Sequence, residues 1–149
     1  METGHATDEP AEGASEMRLT WEGKPPVERP SEALVRRRLL RKRGGDTSYV
    51  ILEAPDGSYV QMLGGGVACC LEWRDMTSGR HYRAYVDPPK VPWRHESKVG
   101  DMTLAPGEHL FIEDVAVAFC AFLLHQPFPS NIYWRNITEE LAAYDIART

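Results

Sequence analysis

Cysteine and histidine are the side chains of this sequence with the most direct capacity for chemistry. Within the part predicted to fold they are Cys69, Cys70, Cys120, His81, His95, His109 and His125. A zinc site would need such ligands at short, regular spacings, and neither C-x-x-C nor H-x-x-x-H occurs. We therefore predict no metal and no cofactor, and we expect Cys69 to pack as a small apolar side chain.

One nucleophile–base pair could form within the predicted sheet. Cys70 and His81 fall on neighbouring predicted strands, where an imidazole could activate a thiol. Nothing in the surrounding sequence indicates an oxyanion hole or a third group that orients the base. We prefer to interpret them as two ordinary sheet residues, and a small enzyme of unknown type is the weakest of three functional interpretations.

The strongest charge feature is a basic run in a predicted helix. Arg36-Arg37-Arg38 and Arg41-Lys42-Arg43 hold six of the 17 lysines and arginines. Such a run could contact phosphates, so a nucleic-acid-associated module that uses helix 34–43 is the second interpretation. Three consecutive bases point around a helix, however, and cannot all face one groove. We favour a solvated helix face and leave the role of the run open.

The net charge of −5 is unevenly distributed along the chain. Residues 1–16 contain five of the 22 acidic residues and no lysine or arginine, and they lack aromatic residues, valine and isoleucine for a core. We predict a disordered acidic tail over residues 1–16 and one folded α+β domain over residues 17–149. The folded part then carries 17 acidic and 17 basic residues, so its charges balance.

Composition also bounds the cellular compartment. The N-terminus has no basic start followed by an apolar region, which disfavours a secretory signal, and no apolar run approaches the ~18 residues of a membrane span. Three cysteines, two of them adjacent, do not form a disulfide framework. A reducing cytoplasm without membrane association is the predicted location.

One apolar helix organises the predicted fold. Ile112, Val115, Phe119 and Phe122 recur at helical spacing, and Gln126-Pro127 ends the helix because the residue before a proline is pushed out of the α region. A helix this apolar is buried on most of its circumference, so the other elements must cover it. We expect Phe119 to be almost fully buried.

The remaining elements are a second helix and a sheet. Ser31 is the predicted N-cap of the helix that contains the basic run. Alternating apolar residues predict strands over 17–22, 48–53, 58–63, 67–74 and 80–86, with an edge strand over 99–104 and a last strand over 132–134. Prolines make 87–98 a loop. The predicted fold class is α+β, with a single antiparallel sheet of about five to six strands packed against two main helices.

The C-terminal third contains a pattern that is similar to a known family. It consists of Leu110-x-Ile112-Glu113-Asp114, then Ala116, Phe119 and Phe122, then Pro129 and Trp134. This resembles the C-terminal signature of the large immunity-protein family of bacterial polymorphic-toxin systems, whose members neutralise deaminase and nuclease toxins. The resemblance holds residue by residue over 110–134 and by the order of elements over 17–137. The turn His125-Gln126-Pro127 departs from it, because a glycine is expected before the proline.

The resemblance implies a non-enzymatic protein that occludes the active site of a cognate protein toxin in the bacterial cytoplasm. A toxin that acts on an anionic substrate implies a basic cleft, so its inhibitor would present carboxylates around an aromatic anchor. Two loops at strand ends offer that mixture, 75–79 and 87–98. The predicted partner-binding residues are therefore Trp93, Arg94, Glu96, Asp75 and Asp87, although Trp93 could equally fold back over the sheet. No catalytic residue is predicted, and the oligomeric state is left open.

Overall fold

The computed structural model describes residues 16–43, 48–99 and 102–142. Most of the predicted acidic tail lies outside these residues. Residues 44–47, 100–101 and 143–149 also lie outside them.

The elements follow the chain in a regular order. They are β1 (Arg18–Trp21), β2 (Val27–Glu28), α1 (Glu32–Leu40), β3 (Tyr49–Glu53), β4 (Tyr59–Gly65), β5 (Ala68–Asp75), β6 (Arg80–Tyr85), β7 (Ser97–Val99), β8 (Met102–Leu104), a 3-10 turn (Pro106–Glu108), α2 (Ile112–Leu123) and β9 (Tyr133–Asn136). Residues 138–142 are helical.

Seven strands form one antiparallel sheet in the order β2-β1-β3-β4-β5-β6-β9. The α+β class and the meander from β3 to β6 are confirmed, but the predicted five to six strands are too few. The added strand, β2, has only two residues and lies between Pro26 and Pro30, so it is too short to show an alternating pattern. The single edge strand predicted over 99–104 is also wrong, because β7 and β8 pair as a separate two-stranded sheet.

Both main helices pack against one face of the sheet. The Ser31 side chain caps α1 by accepting a hydrogen bond from the Leu34 amide at 3.1 Å. Phe119 on α2 is 0% exposed and belongs to the same apolar core as Leu71 on β5, which confirms its predicted burial. The core is formed by the alternate residues of every central strand, as a sheet covered on that face requires.

The opposite face, which we call the helix-free face because neither main helix packs on it, is only partly covered. The β7–β8 hairpin packs on it through Val99 and Leu104, which form a small second apolar cluster with Cys70. The strand register places one row of directly opposite residues across this face, formed by Thr20, Ile51, Gln61, Glu72, Arg83 and Arg135. The middle of the sheet is therefore apolar on one side and polar on the other.

Candidate binding surface

Two hairpin tips and the turn after α2 meet at one end of the sheet. The β3–β4 turn contributes Asp56, the end of β5 contributes Asp75, and the turn after α2 contributes His125 and Phe128. Together they line an open concavity of about 440 Å³, which we call the hairpin-end pocket. No lysine or arginine is among the described residues that line it.

Aromatic rings form the apolar part of the hairpin-end pocket. Trp73 stacks on Tyr82 with ring centroids 4.9 Å apart. Phe128 contacts Trp73 edge-on at 5.0 Å and lies 4.7 Å from Trp134. All four rings are half-buried, and of these Trp73 and Phe128 line the pocket, while Tyr82 and Trp134 support them. Such pairs contribute about 0.5–1.5 kcal/mol each beyond area burial.

The two carboxylates of the pocket fix the turns that carry them. Asp56 Oδ1 accepts a hydrogen bond from the Ser58 amide at 2.8 Å, and Asp75 Oδ1 accepts one from the Thr77 amide at 3.1 Å. Neither carboxylate forms an ion pair with any described residue. Arg80 stands opposite Asp75 without an ion pair to it, and the described lining of the pocket carries the two carboxylates and no lysine or arginine.

His125 has a backbone conformation that usually belongs to glycine. Its φ is +56°, and the Gln126 amide donates to the Ala121 carbonyl at 2.8 Å, which closes the C-terminus of α2. A side chain in this region costs about 1 kcal/mol because Cβ crowds the backbone. The His125 side chain is exposed and lines the pocket. Backbone strain of this kind is concentrated at functional sites, where the strained residue has a role in binding or catalysis.

The predicted partner-binding residues do not lie together. Asp75 is opposite Arg80, where β6 begins, whereas Asp87 follows the end of β6 at Tyr85. Six residues of strand separate the two loops by roughly 20 Å. Only Asp75 belongs to the hairpin-end pocket. The connections that follow two consecutive antiparallel strands always leave from opposite ends, so the sequence already contained this signal.

Trp93 lies in a second concavity at the other end of the sheet. It lines a space of about 550 Å³ together with Arg94 and four prolines. Trp93 is half-buried, and its ring meets His109 edge-on at 5.3 Å. The indole Nε1 is buried without a hydrogen-bond acceptor among the described residues. Trp93 thus partly folds back, as one of the two sequence interpretations held, and its polar edge is not presented to solvent.

The helix-free face holds a buried ionic network that the sequence analysis did not identify. Glu72 is 3% exposed; its Oε1 lies 2.8 Å from His81 Nε2, and its Oε2 accepts a hydrogen bond from Arg83 Nε at 2.9 Å. Burial opposes ionisation of Glu72, but His81 and Arg83 outweigh it and hold the pKa below its ordinary value. Arg83 also faces Glu108, and Arg135 binds Glu108 at 2.9 Å.

Cys70 and His81, which the sequence analysis weighed as a nucleophile–base pair, both belong to this network. Both side chains point to Glu72, with Cys70 Sγ 3.8 Å from Glu72 Oε2. Burial, together with the charge of Glu72, raises the pKa of the Cys70 thiol, and burial raises that of Cys69 to about 12. The thiols are therefore protonated at neutral pH and are poor nucleophiles.

Several side chains of the basic run, which begins in α1, are engaged in contacts within the fold. Arg36 pairs with Glu32 at 3.2 Å, and the Arg38 guanidinium lies 5.0 Å from the Trp21 ring centre. Lys42 is 3% exposed and donates to the Ser48 carbonyl at 2.7 Å. The exposed members are Arg37, Arg41 and Arg43. Three of the six bases are therefore exposed, and the other three have contacts within the fold.

Comparisons with known proteins give no assignment: no family model, no curated protein and no solved structure matches the chain. Among the described residues, no helix is long and apolar enough to cross a membrane. The same residues contain no group of three histidine, cysteine or acidic side chains arranged to hold a metal ion.

Proposed function

We propose that this protein is a non-enzymatic, immunity-type inhibitor in the bacterial cytoplasm that binds a cognate protein toxin and occludes its active site. The observation that carries the proposal is the hairpin-end pocket, in which aromatic rings and two carboxylates without an ion pair among the described residues share one concave surface. A deaminase or nuclease toxin binds an anionic substrate in a basic cleft. An acidic, aromatic surface complements such a cleft in both charge and apolar contact.

Binding is favoured over catalysis by the state of the reactive side chains. The oxygens of Glu72 already accept from Gln61, His81 and Arg83, so none is free to act as a base. The raised thiol pKa values of Cys69 and Cys70 remove the candidate nucleophiles. Inhibition by occlusion needs no such reactive group, only a surface complementary to the toxin's cleft.

The hairpin end fits this role better than the proline-rich loop. Asp87 and Glu96 share that loop with Lys90 and Arg94, so its charge is mixed. Lys90 is moreover engaged, because its ammonium binds Asp114 at 2.7 Å. The partner-binding role of Asp75 is therefore extended to Asp56, His125 and Phe128, while the roles of Trp93 and its neighbours remain predictions.

The test is a kinetic binding experiment between the purified chain and the product of the toxin-like reading frame adjacent to its gene. Asp56→Asn combined with Asp75→Asn removes two charges and keeps the turns capped, because asparagine caps as well as aspartate. We expect the association rate to fall about tenfold and to lose most of its salt dependence. Phe128→Ala should weaken binding by about 2 kcal/mol or more, as loss of an aromatic anchor does.

The matched control lies at the other end of the sheet. Asp87→Asn combined with Glu96→Gln makes the same change in charge, and Trp93→Ala removes the alternative anchor. If these variants lose binding and the hairpin-end variants do not, the interface is the proline-rich loop. If the adjacent gene product does not bind the wild-type protein, the immunity proposal fails.

His125→Gly separates function from stability. Relief of the left-handed strain should stabilise the fold by about 1 kcal/mol. If the side chain belongs to the interface, the same variant binds the toxin more weakly although it melts at a higher temperature. Unchanged affinity would remove His125 from the proposed surface.

A further inference from the structure

Two cavities adjoin each other on the helix-free face. The first, about 270 Å³, is lined mainly by the half-buried side chains of Tyr49, Ile51, Leu63 and Met102. The second, about 500 Å³, is lined by the polar side chains of Tyr59, Arg74, His81 and Thr138, together with Leu141 and Ala142. Gln61 and Glu72 belong to both linings, so the cavities meet at this pair, and together we call them the sheet trough.

Glu72 does not supply a binding group to the trough. Gln61 Nε2 donates to its Oε1 at 3.2 Å, and His81 and Arg83 occupy the remaining strong positions. His81 and Arg83 pair with Glu72, whereas Arg74 lines the polar half without an ion pair to any described residue.

Arg74 and Tyr59 carry hydrogen-bond donors that have no acceptor among the described residues. Neither side chain has a hydrogen bond or an ion pair with any residue that the structure describes. The two residues are directly opposite each other on β5 and β4, so their Cβ atoms lie about 5 Å apart on the same face. Burial is the main reason that the pKa of Tyr59 is raised, which keeps its phenol protonated as a donor. A guanidinium beside a phenol is suited to a carboxylate.

We propose that the sheet trough binds an elongated anionic amphiphile, namely a carboxylate attached to an unbranched apolar body. The carboxylate accepts hydrogen bonds from Arg74 and Tyr59, and the body lies against Ile51, Leu63 and Met102. From Tyr59 to Leu63 the trough follows four steps of β4, about 14 Å. A small compact anion would leave the apolar half empty, and a neutral chain would leave Arg74 unpaired.

The probe is octanoate, titrated calorimetrically into the full chain, with 1-octanol and butyrate as comparisons. The alcohol retains the body but lacks the charge, and butyrate retains the charge but lacks most of the body. We expect octanoate to bind at least tenfold more tightly than either, since each buried methylene contributes about fourfold. Equal affinity for octanoate and octanol would overturn the proposal, because the guanidinium would then have no role.

Three variants locate the site. Arg74→Gln should weaken octanoate binding at least tenfold and leave octanol unchanged. Ile51→Thr keeps a β-branched strand residue and should weaken octanoate more than butyrate. Arg80→Gln removes the same charge at the same end of the sheet but from the opposite face, so it should change nothing. If Arg74→Gln and Arg80→Gln bind octanoate alike, the site is not the trough. The titrations need no toxin, so their outcome is independent of the proposed function.

Discussion

The same strands present two different interiors, one on each face of the sheet. On the helix-covered side, Leu71 lies opposite Met62, and both pack under α2 with exposures of 0% and 1%. One residue further along β5, on the other side, Glu72 lies opposite Gln61 on one neighbour and Arg83 on the other. Glu72 is almost as buried as Leu71, yet every contact that it makes is polar.

The comparison teaches how each interior responds to damage. Apolar packing is stabilised by the contacted area, so removing one side chain leaves a cavity that no second removal can repair. An ionic interior is stabilised by pairing. Removing one member leaves its partner buried and unpaired, whereas removing both members can be nearly neutral. The two faces should therefore differ in whether a second substitution rescues the first.

The largest effect is expected on the helix-covered face. Phe119→Ala should lower the free energy of unfolding by about 3–5 kcal/mol, because the ring is fully buried in the core. A urea melt measures this loss, and adding Leu71→Ala should increase it. A loss below about 1 kcal/mol, or a rescue by the second substitution, would contradict the distinction between the two faces.

A smaller effect is expected on the helix-free face. Glu72→Ala leaves Arg83 without its main partner, although Arg83 Nη1 still lies 3.9 Å from Glu108. We therefore expect the free energy of unfolding to fall by about 2–3 kcal/mol. Glu72→Leu combined with Arg83→Met should recover most of that loss in the same urea melt. If the double variant is less stable than Glu72→Ala, the network is not governed by pairing.

The two interiors also differ in how far the sequence predicted them. The spacing of Ile112, Val115 and Phe119 predicted the buried face of α2, because helical periodicity is local. The network depends on which residues of β5 and β6 stand opposite each other. It also depends on the 3-10 turn, which places Glu108 beside Arg83. The sequence shows polar residues at alternate positions, which is usual for a solvated outer face. Nothing local indicated that Glu72 and Arg83 would be buried.

The candidate binding surface was predicted in part for a similar reason. Asp75 was identified because carboxylates at turns are visible in sequence. His125 was assigned to the turn after the core helix and Phe128 was given no role, and their approach to the hairpin tips depends on the packing of α2 across the sheet. The missed residues are those whose position requires tertiary structure.

Acid should remove the stability that Glu72 contributes on the helix-free face. This loss should be smaller than the loss caused by replacing Glu72. The folded pKa of Glu72 lies below its ordinary value of 4.5, so the unfolded chain binds more protons as pH falls. The contribution of Glu72 is therefore fully present above pH 4.5 and is lost as pH falls through the folded pKa. Unfolding free energies measured from pH 6 downward should show a shallower decline for Glu72→Gln than for wild type. Phe119→Ala should shift the whole curve without changing this slope.

The smallest effect is expected outside both interiors, on the exposed side of α1. Arg37 and Arg41 are exposed, so Arg37→Gln combined with Arg41→Gln should change stability by less than about 0.5 kcal/mol. Arg38→Gln is the matched control, since its guanidinium lies over Trp21 and its loss should cost about 0.5–1 kcal/mol. The nucleic-acid interpretation makes the opposite prediction for the first pair. It requires wild-type binding to duplex or single-stranded DNA below about 1 μM at roughly 150 mM salt, abolished by the Arg37 and Arg41 changes. We expect no such binding, because Arg38 and Lys42 are engaged within the fold and only Arg37, Arg41 and Arg43 of the basic run are exposed.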